Sequence, residues 1–336
     1  MSTSKGIQFN PATDIHSLEG KVILITGANS GLGKEASLEL AKHGPAMIYM
    51  AARSPEKGTK AVSEVQKQVP SANVSFLEMD LSSFASIKQA ARTVLDSSPR
   101  LDILMLNAGR KLLPPQLTNG AIYPNSILAP VMGCPPQATT EGYEIQMGTN
   151  HMGHALLLKL LSPLLLQTAT TTGSPTRVVS MASSAWKYAS PEKKIQFETL
   201  KDPLGGDVTP VNRYIQSKTA NMLYAAQATK QLDGSERVII LSVDPGEVAT
   251  QLFSRAPGDE QMAHLQKTVV PKVVRPVAEG VLNQLWAATA PDADVVSGAH
   301  YEPVGYRPEP SGLMLDEELG VKVWEWTQKE LEGQEI

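Results

Sequence analysis

The chain has 336 residues, 42% of them apolar and 19% charged, enough to fill the core of one α/β domain with insertions. A net charge of −4 excludes a general attraction to nucleic acid or anionic lipid, so basic side chains are read one at a time. The single cysteine, Cys134, excludes an internal disulfide and any multi-cysteine metal site, and suits a reducing compartment.

In chain order, Val22–Thr26 is a continuous apolar run closed by a glycine-rich turn, and a helical pattern follows over 32–43. A strand is predicted at 46–51 and a helix at 55–69, with Pro55 placed as a helix opener. The alternation continues with a strand at Val74–Glu78, a helix at 83–95 and a strand at 101–106. Later strands are predicted at 177–181 and 237–243, with helices at 142–168, 212–232 and 276–288. Strands that are apolar throughout need helices on both faces, so the order predicts a doubly wound parallel α/β sheet. The rhythm is interrupted at about 110–140, 187–211 and 251–272. Loops this long in a compact domain are usually functional.

The first twenty residues hold no apolar stretch of signal-peptide length. The most apolar run, 155–166, is broken by Lys159 and Pro163 and is too short to span a bilayer. A cytoplasmic protein without a transmembrane segment is expected.

The turn after the first strand reads Gly27-Ala28-Asn29-Ser30-Gly31-Leu32-Gly33, followed by Lys34. Glycines there let the backbone approach a pyrophosphate, and the helix that opens points N–H groups and a positive dipole end at it. At the end of the second strand an acidic residue would bind the adenosine 2′-hydroxyl of NAD, but this chain has Arg53. A guanidinium can grip a 2′-phosphate, with Lys34 adding charge, so NADP(H) is the expected cofactor. Asp80, before Leu81, reads equally as a nucleotide acceptor or as the N-cap of the next helix.

Of eight tyrosines only Tyr214 has a lysine four residues on, Lys218, which a helix places on the same face. Carbonyl reduction needs a proton donor and alcohol oxidation a base, and free tyrosine at about 10 is a poor base. An adjacent ammonium and an oxidised nicotinamide would favour the phenolate; a shift of about 3 units corresponds to roughly 4 kcal/mol. His151 and His154 stand three apart with no third ligand at metal spacing, so packed or hydrogen-bonded histidines are expected and no metal.

Taken in order, these motifs resemble the short-chain dehydrogenase/reductase family, whose fingerprint is T-G-x-x-x-G-x-G, over residues 20–305. The extended gap between Ser183 and Tyr214 resembles its retinol-dehydrogenase-like and fungal biosynthetic members. The resemblance implies a single Rossmann-type domain between an N-terminal extension (1–19) and a helical tail (306–336). It implies that Asp80-Leu81 meet the adenine and that Asn107-Ala108-Gly109 line the adenosine ribose. Pro245, Gly246, Val248 and Thr250 would receive the nicotinamide carboxamide. The catalytic set it implies is Asn150, Ser183, Tyr214 and Lys218, with Ser184 an adjacent competitor for Ser183. Lys218 would also bind the nicotinamide ribose, with Tyr214 beside it. The expected function is reduction of a ketone or aldehyde, or oxidation of the alcohol, on a medium-sized hydrophobic molecule such as a secondary metabolite. Its pocket walls are expected at 112–131, 186–188 and 251–272. A same-fold enzyme with a non-redox net reaction and a non-catalytic NADP(H) sensor are the alternatives. A homo-oligomer is compatible with the sequence, and no nucleic-acid partner is expected.

Overall fold

The computed structural model describes residues 6–109, 137–189, 194–202, 208–232, 237–246, 248 and 275–336. After a short helix α1 (Pro11–Asp14) come β1 (Val22–Thr26), α2 (Gly31–Ala41), β2 (Met47–Ala52), α3 (Pro55–Gln68), β3 (Val74–Glu78), α4 (Phe84–Ser97) and β4 (Ile103–Leu106). The second half has α5 (Ile145–Thr172), β5 (Thr176–Met181), α6 (Pro210–Leu232), β6 (Val238–Val243), α7 (Val277–Gly280), α8 (Leu282–Thr289), β7 (His300–Tyr301) and α9 (Glu317–Glu330).

The strands form one sheet in the order β3-β2-β1-β4-β5-β6-β7, and every pairing is parallel. Side chains alternate across it. Leu24, Leu104, Val178 and Ile240 enter a core layer with α4, α5 and α6, whereas Ile23, Ile25, Met105 and Leu241 enter one with α2, α3 and α8. Winding reverses between β1 and β4, which opens a crevice beyond their carboxyl ends, where open α/β sheets bind ligands.

The helix predicted over 276–288 is interrupted at Val281, next to Gly280, where a Cβ would lie 2.3 Å from Val248 Cγ2. The seventh strand, two residues long, is too short to carry a periodic signal. In the N-terminal extension Ile15 and Leu18 are buried in the second core layer.

α5 is continuous but carries a π-type turn at Gly148–Met152, where the Gly153 N–H reaches back to the Gly148 carbonyl. By length and composition α5 could cross a membrane, yet 72% of its most apolar window is buried inside the fold. The tail helix α9 lies on α5 and α6, with Trp324 stacked on Tyr224 at 5.0 Å and Lys159 Nζ donating to the Leu331 carbonyl at 2.7 Å.

Candidate active site

The crevice has a volume of about 230 Å³ and is lined by residues that include Thr26, Gly27, Asn29, Arg53, Ser54, Lys57, Asp80, Leu81, Ala108, Gly109 and Thr149. Its floor depends on two glycines. Gly27 has φ +67°, and a Cβ there would sit 2.9 Å from Ala108 Cα. A Cβ on Gly33 would lie 2.5 Å from both the Gly27 carbonyl oxygen and Asn107 Nδ2, so α2 can approach the turn only as glycine. Asn107 Nδ2 donates to the Thr26 carbonyl at 2.8 Å, and the Ala108 N–H to Thr26 Oγ1 at 2.8 Å, which ties the ends of β4 and β1 together. Ser30 is the extended N-cap residue of α2, and buried Leu32 accepts from Gln284 Nε2 at 3.0 Å through its carbonyl.

A dinucleotide fits this cradle. Thr149 also lines the crevice, and its buried Oγ1 has no hydrogen-bond partner among the described residues. At the other rim Arg53 and Lys57 flank Ser54, the N-cap of α3, whose side chain accepts from the Lys57 N–H. Two cations and a helix N-terminus thus converge at one place. Lys57 and Thr149 were not singled out from sequence. The signal for Lys57 was its place in the first turn of α3, four residues after Arg53.

Lys34, expected to add charge near the 2′-phosphate, pairs its ammonium with Glu64 at 2.7 Å across α2 and α3 and is not among the residues lining the crevice. Asp80 is not an N-cap, because Ser83 caps α4; the Asp80 carboxylate accepts from the Ser82 N–H at 2.9 Å and its hydroxyl at 2.6 Å, and lines the crevice.

The crevice runs on into the second group of residues. A Cβ on Gly109 would stand 3.5 Å from Asn150 Oδ1 and 3.6 Å from Lys218 Nζ. Lys218 lies on α6, 5% exposed, and donates to the Met181 carbonyl at 2.8 Å. Asn150 lies in the π-type turn and donates from Nδ2 to Ser217 Oγ at 3.0 Å. Tyr214 and Ser183 are joined by a side-chain hydrogen bond, so Ser183, and not Ser184, meets the tyrosine. Ser184 instead opens a short 3₁₀ helix capped by Ser183.

Burial pushes the Tyr214 phenol up to about 12; the Ser183 bond pulls the other way and the Asp244 carboxylate adds to the rise. The protonated phenol is therefore the stable form at neutral pH; the charges expected to favour the phenolate are the Lys218 ammonium and an oxidised nicotinamide. His151 and His154 have all four ring nitrogens within hydrogen-bond range of Asn221, Thr327, Asn150 and Thr26, which accounts for both as hydrogen-bonded core residues.

Beyond β6, Asp244 precedes Pro245, and the left-handed Gly246 donates its N–H to the Asp244 carboxylate at 2.9 Å. Val248 is buried and bridges Arg275. Thr250, Cys134 and most of the expected pocket walls at 112–131 and 251–272 lie outside the described residues.

A parallel sheet with a glycine-floored crevice at its switch point, opening on a serine–tyrosine–lysine group, defines a dinucleotide-binding oxidoreductase fold. The sequence profile described as short chain dehydrogenase matches residues 21–194. A short-chain dehydrogenase/reductase of Armillaria gallica is 32% identical over 316 residues, 94% of this chain and 91% of that protein. Retinol dehydrogenase 12 of Mus musculus is 32% identical over 284 residues, 84% of this chain and 78% of that one. The crystal structure of a Mycobacterium paratuberculosis protein shares the fold, with TM-score 0.68 and 24% identity over 97% of each chain. The chain belongs to the short-chain dehydrogenase/reductase family.

Proposed function

We propose that the protein is an NADP(H)-dependent oxidoreductase that reduces a ketone or aldehyde, or oxidises the alcohol, on a medium-sized hydrophobic substrate. The observation that carries this reading is the half-buried Tyr214 phenol, hydrogen-bonded to Ser183 and one helical turn from Lys218, beside the glycine-floored crevice.

When bound, the nicotinamide cofactor supplies or accepts the hydride. Arg53 and Lys57 at the start of α3 would hold a 2′-phosphate, while Gly27 to Gly33 and the N-terminus of α2 hold the pyrophosphate. Ser183 donates a hydrogen bond to the substrate oxygen, and Tyr214 Oη gives that oxygen its proton on reduction. The phenol is the proton-donating form that reduction needs. Oxidation requires the phenolate, for which the Lys218 ammonium supplies compensating charge. Asn150 and Lys218 border Gly109 together, so a water there would complete a path for the proton. The names of relatives such as retinol dehydrogenase support a lipophilic substrate for this chain too.

Titration calorimetry with NADPH and NADH, followed by mass analysis of products from a panel of aryl, cyclic and long-chain carbonyls, tests this function. The expected result is tighter NADPH binding and a two-hydrogen gain in at least one product. Equal affinity for both cofactors contradicts the assignment of Arg53 and Lys57. A product of unchanged oxidation level contradicts the redox reading.

A further inference from the structure

We propose that Thr327, His151 and Asn221 are positioning residues for Lys218, a polarised hydrogen-bond chain tying the C-terminal helix to the carbonyl that anchors the lysine. The proposal rests on the reading of Lys218 given above. It starts from a carbonyl with two donors: Met181 O, at the end of β5, accepts from Lys218 Nζ at 2.8 Å and from Asn221 Nδ2 at 3.1 Å. Lys218 and Asn221 are three apart on α6 and so share a face.

Elementary donor rules then fix every proton. A carbonyl only accepts, so the Asn221 atom facing Met181 is its amide nitrogen and its Oδ1 is the acceptor facing His151. His151 Nδ1, 3.3 Å from Asn221 Oδ1, must therefore carry the hydrogen. Burial holds the His151 pKa down near 4, so the ring is neutral and Nε2 is an acceptor. Thr327 Oγ1, 2.8 Å from Nε2, is then the donor. The chain runs one way, from the Thr327 hydroxyl through the imidazole and the amide to Met181.

Each member is closed off from water, with Thr327 0%, His151 2% and Asn221 4% exposed, so none can exchange its partner for solvent. The Tyr224 ring packs edge-on against His151 at 5.2 Å. α9 is itself pinned, since Tyr143 donates to Glu330 at 2.7 Å. The family profile ends at residue 194, so α9 is contributed by a segment outside it.

The consequence is positional. A lysine ammonium on a four-carbon stem has many rotamers, and a fixed acceptor selects one. Removing the Thr327 donor leaves His151 Nε2 an unmet acceptor in a closed site, so the ring has to shift and its Nδ1–H bond to Asn221 loosens. A loosened Oδ1 frees the Asn221 amide to rotate away from Met181. The peptide that holds Lys218 and leads into Ser183 then loses its second anchor.

Histidine-ring ¹⁵N and lysine ¹³Cε spectra of the full chain at pH 7 test the chain without reference to turnover. The expected result is His151 protonated at Nδ1 in the wild-type protein. Thr327→Val should move the His151 Nε2 and Lys218 Cε resonances, and Thr327→Ser should restore both. His151 protonated at Nε2 in the wild-type protein, or a Lys218 resonance unmoved in Thr327→Val, overturns the proposal. The wild-type tautomer decides even if the valine variant does not fold. With NADPH and 9,10-phenanthrenequinone, Thr327→Val should lower kcat at least about threefold with KM for NADPH within about twofold, and Thr327→Ser should recover it. A wild-type protein that binds NADPH but reduces no carbonyl removes the functional reading, while the spectra still decide the chain.

Discussion

Thr26 Oγ1 lies 2.9 Å from His154 Nε2, which joins the nucleotide-facing end of β1 to the π-type turn that carries Asn150. The other imidazole nitrogen, Nδ1, is 2.9 Å from the Asn150 carbonyl and must donate to it. Burial keeps the ring neutral, with a pKa near 3, so Thr26 donates to Nε2 while accepting from the Ala108 N–H. His154→Leu breaks both links. The expected outcome is a stability loss of about 1–3 kcal/mol, read by urea unfolding, because the Thr26 hydroxyl loses its nearer acceptor. Turnover per folded molecule should also fall by roughly tenfold, with NADPH affinity little changed. Full turnover in a folded His154→Leu protein would show that the Asn150 carbonyl needs no such support.

The cofactor rim separates three cations that look alike in sequence. Arg53→Ala should weaken NADPH binding by roughly tenfold to a hundredfold, the range for a charge-assisted bond to phosphate, and leave NADH binding almost unchanged. Lys57→Ala should cost only about threefold, since it is an exposed point charge. Lys34→Ala should cost less still, because that ammonium is engaged by Glu64. Calorimetry on the three variants gives the ranking, and an effect of Lys34 equal to that of Arg53 contradicts it.

Asp244 adds a smaller push to the rise that burial gives the Tyr214 phenol. Its carboxylate helps hold Tyr214 as a phenol, so Asp244→Asn removes a repulsion and the phenolate forms at lower pH. The asparagine oxygen can still accept from the Gly246 N–H. In the alcohol-oxidation direction the rising limb of the pH–rate profile should move to lower pH. A limb that stays in place, or moves up, contradicts this role.

Three buried histidines make the fold acid-sensitive. His151 and His300 are held near 4 and His154 near 3, all by burial, below the ordinary value of 6.5. The unfolded chain binds these protons first, so the stability they contribute is complete above pH 6.5 and is lost as pH falls below it. At pH 5.5 each is expected to cost on the order of 1 kcal/mol. Thermal unfolding followed from pH 7.5 to 5.5 should show Tm falling only below about 6.5, and a flat Tm contradicts the neutral assignment.

What could be read from the sequence was whatever is local. Apolar runs such as Val22–Thr26 gave the strands, the glycine turn gave the crevice floor, and the i, i+4 pair Tyr214 and Lys218 gave a shared helix face. Residues whose role depends on a distant partner were misjudged or missed. Lys34 looked like a phosphate ligand until α3 brought Glu64 to it, thirty residues away. His151 takes its meaning from Thr327, 176 residues on, and His154 from Thr26, 128 residues back. For Tyr214 the helping charge of Lys218 was visible in sequence, whereas burial and Asp244, which oppose ionisation, were not.

The central claim is that the Tyr214 phenol transfers the proton in an NADPH-linked carbonyl reduction. It is tested most directly by single-turnover reduction of a carbonyl accepted by the wild-type protein, compared in Tyr214→Phe with calorimetric NADPH affinity measured on both. Losing one positioned acid is expected to slow the chemical step by about 10²–10⁴-fold while NADPH binds as before. A Tyr214→Phe protein that reduces the same carbonyl at the wild-type rate contradicts the claim.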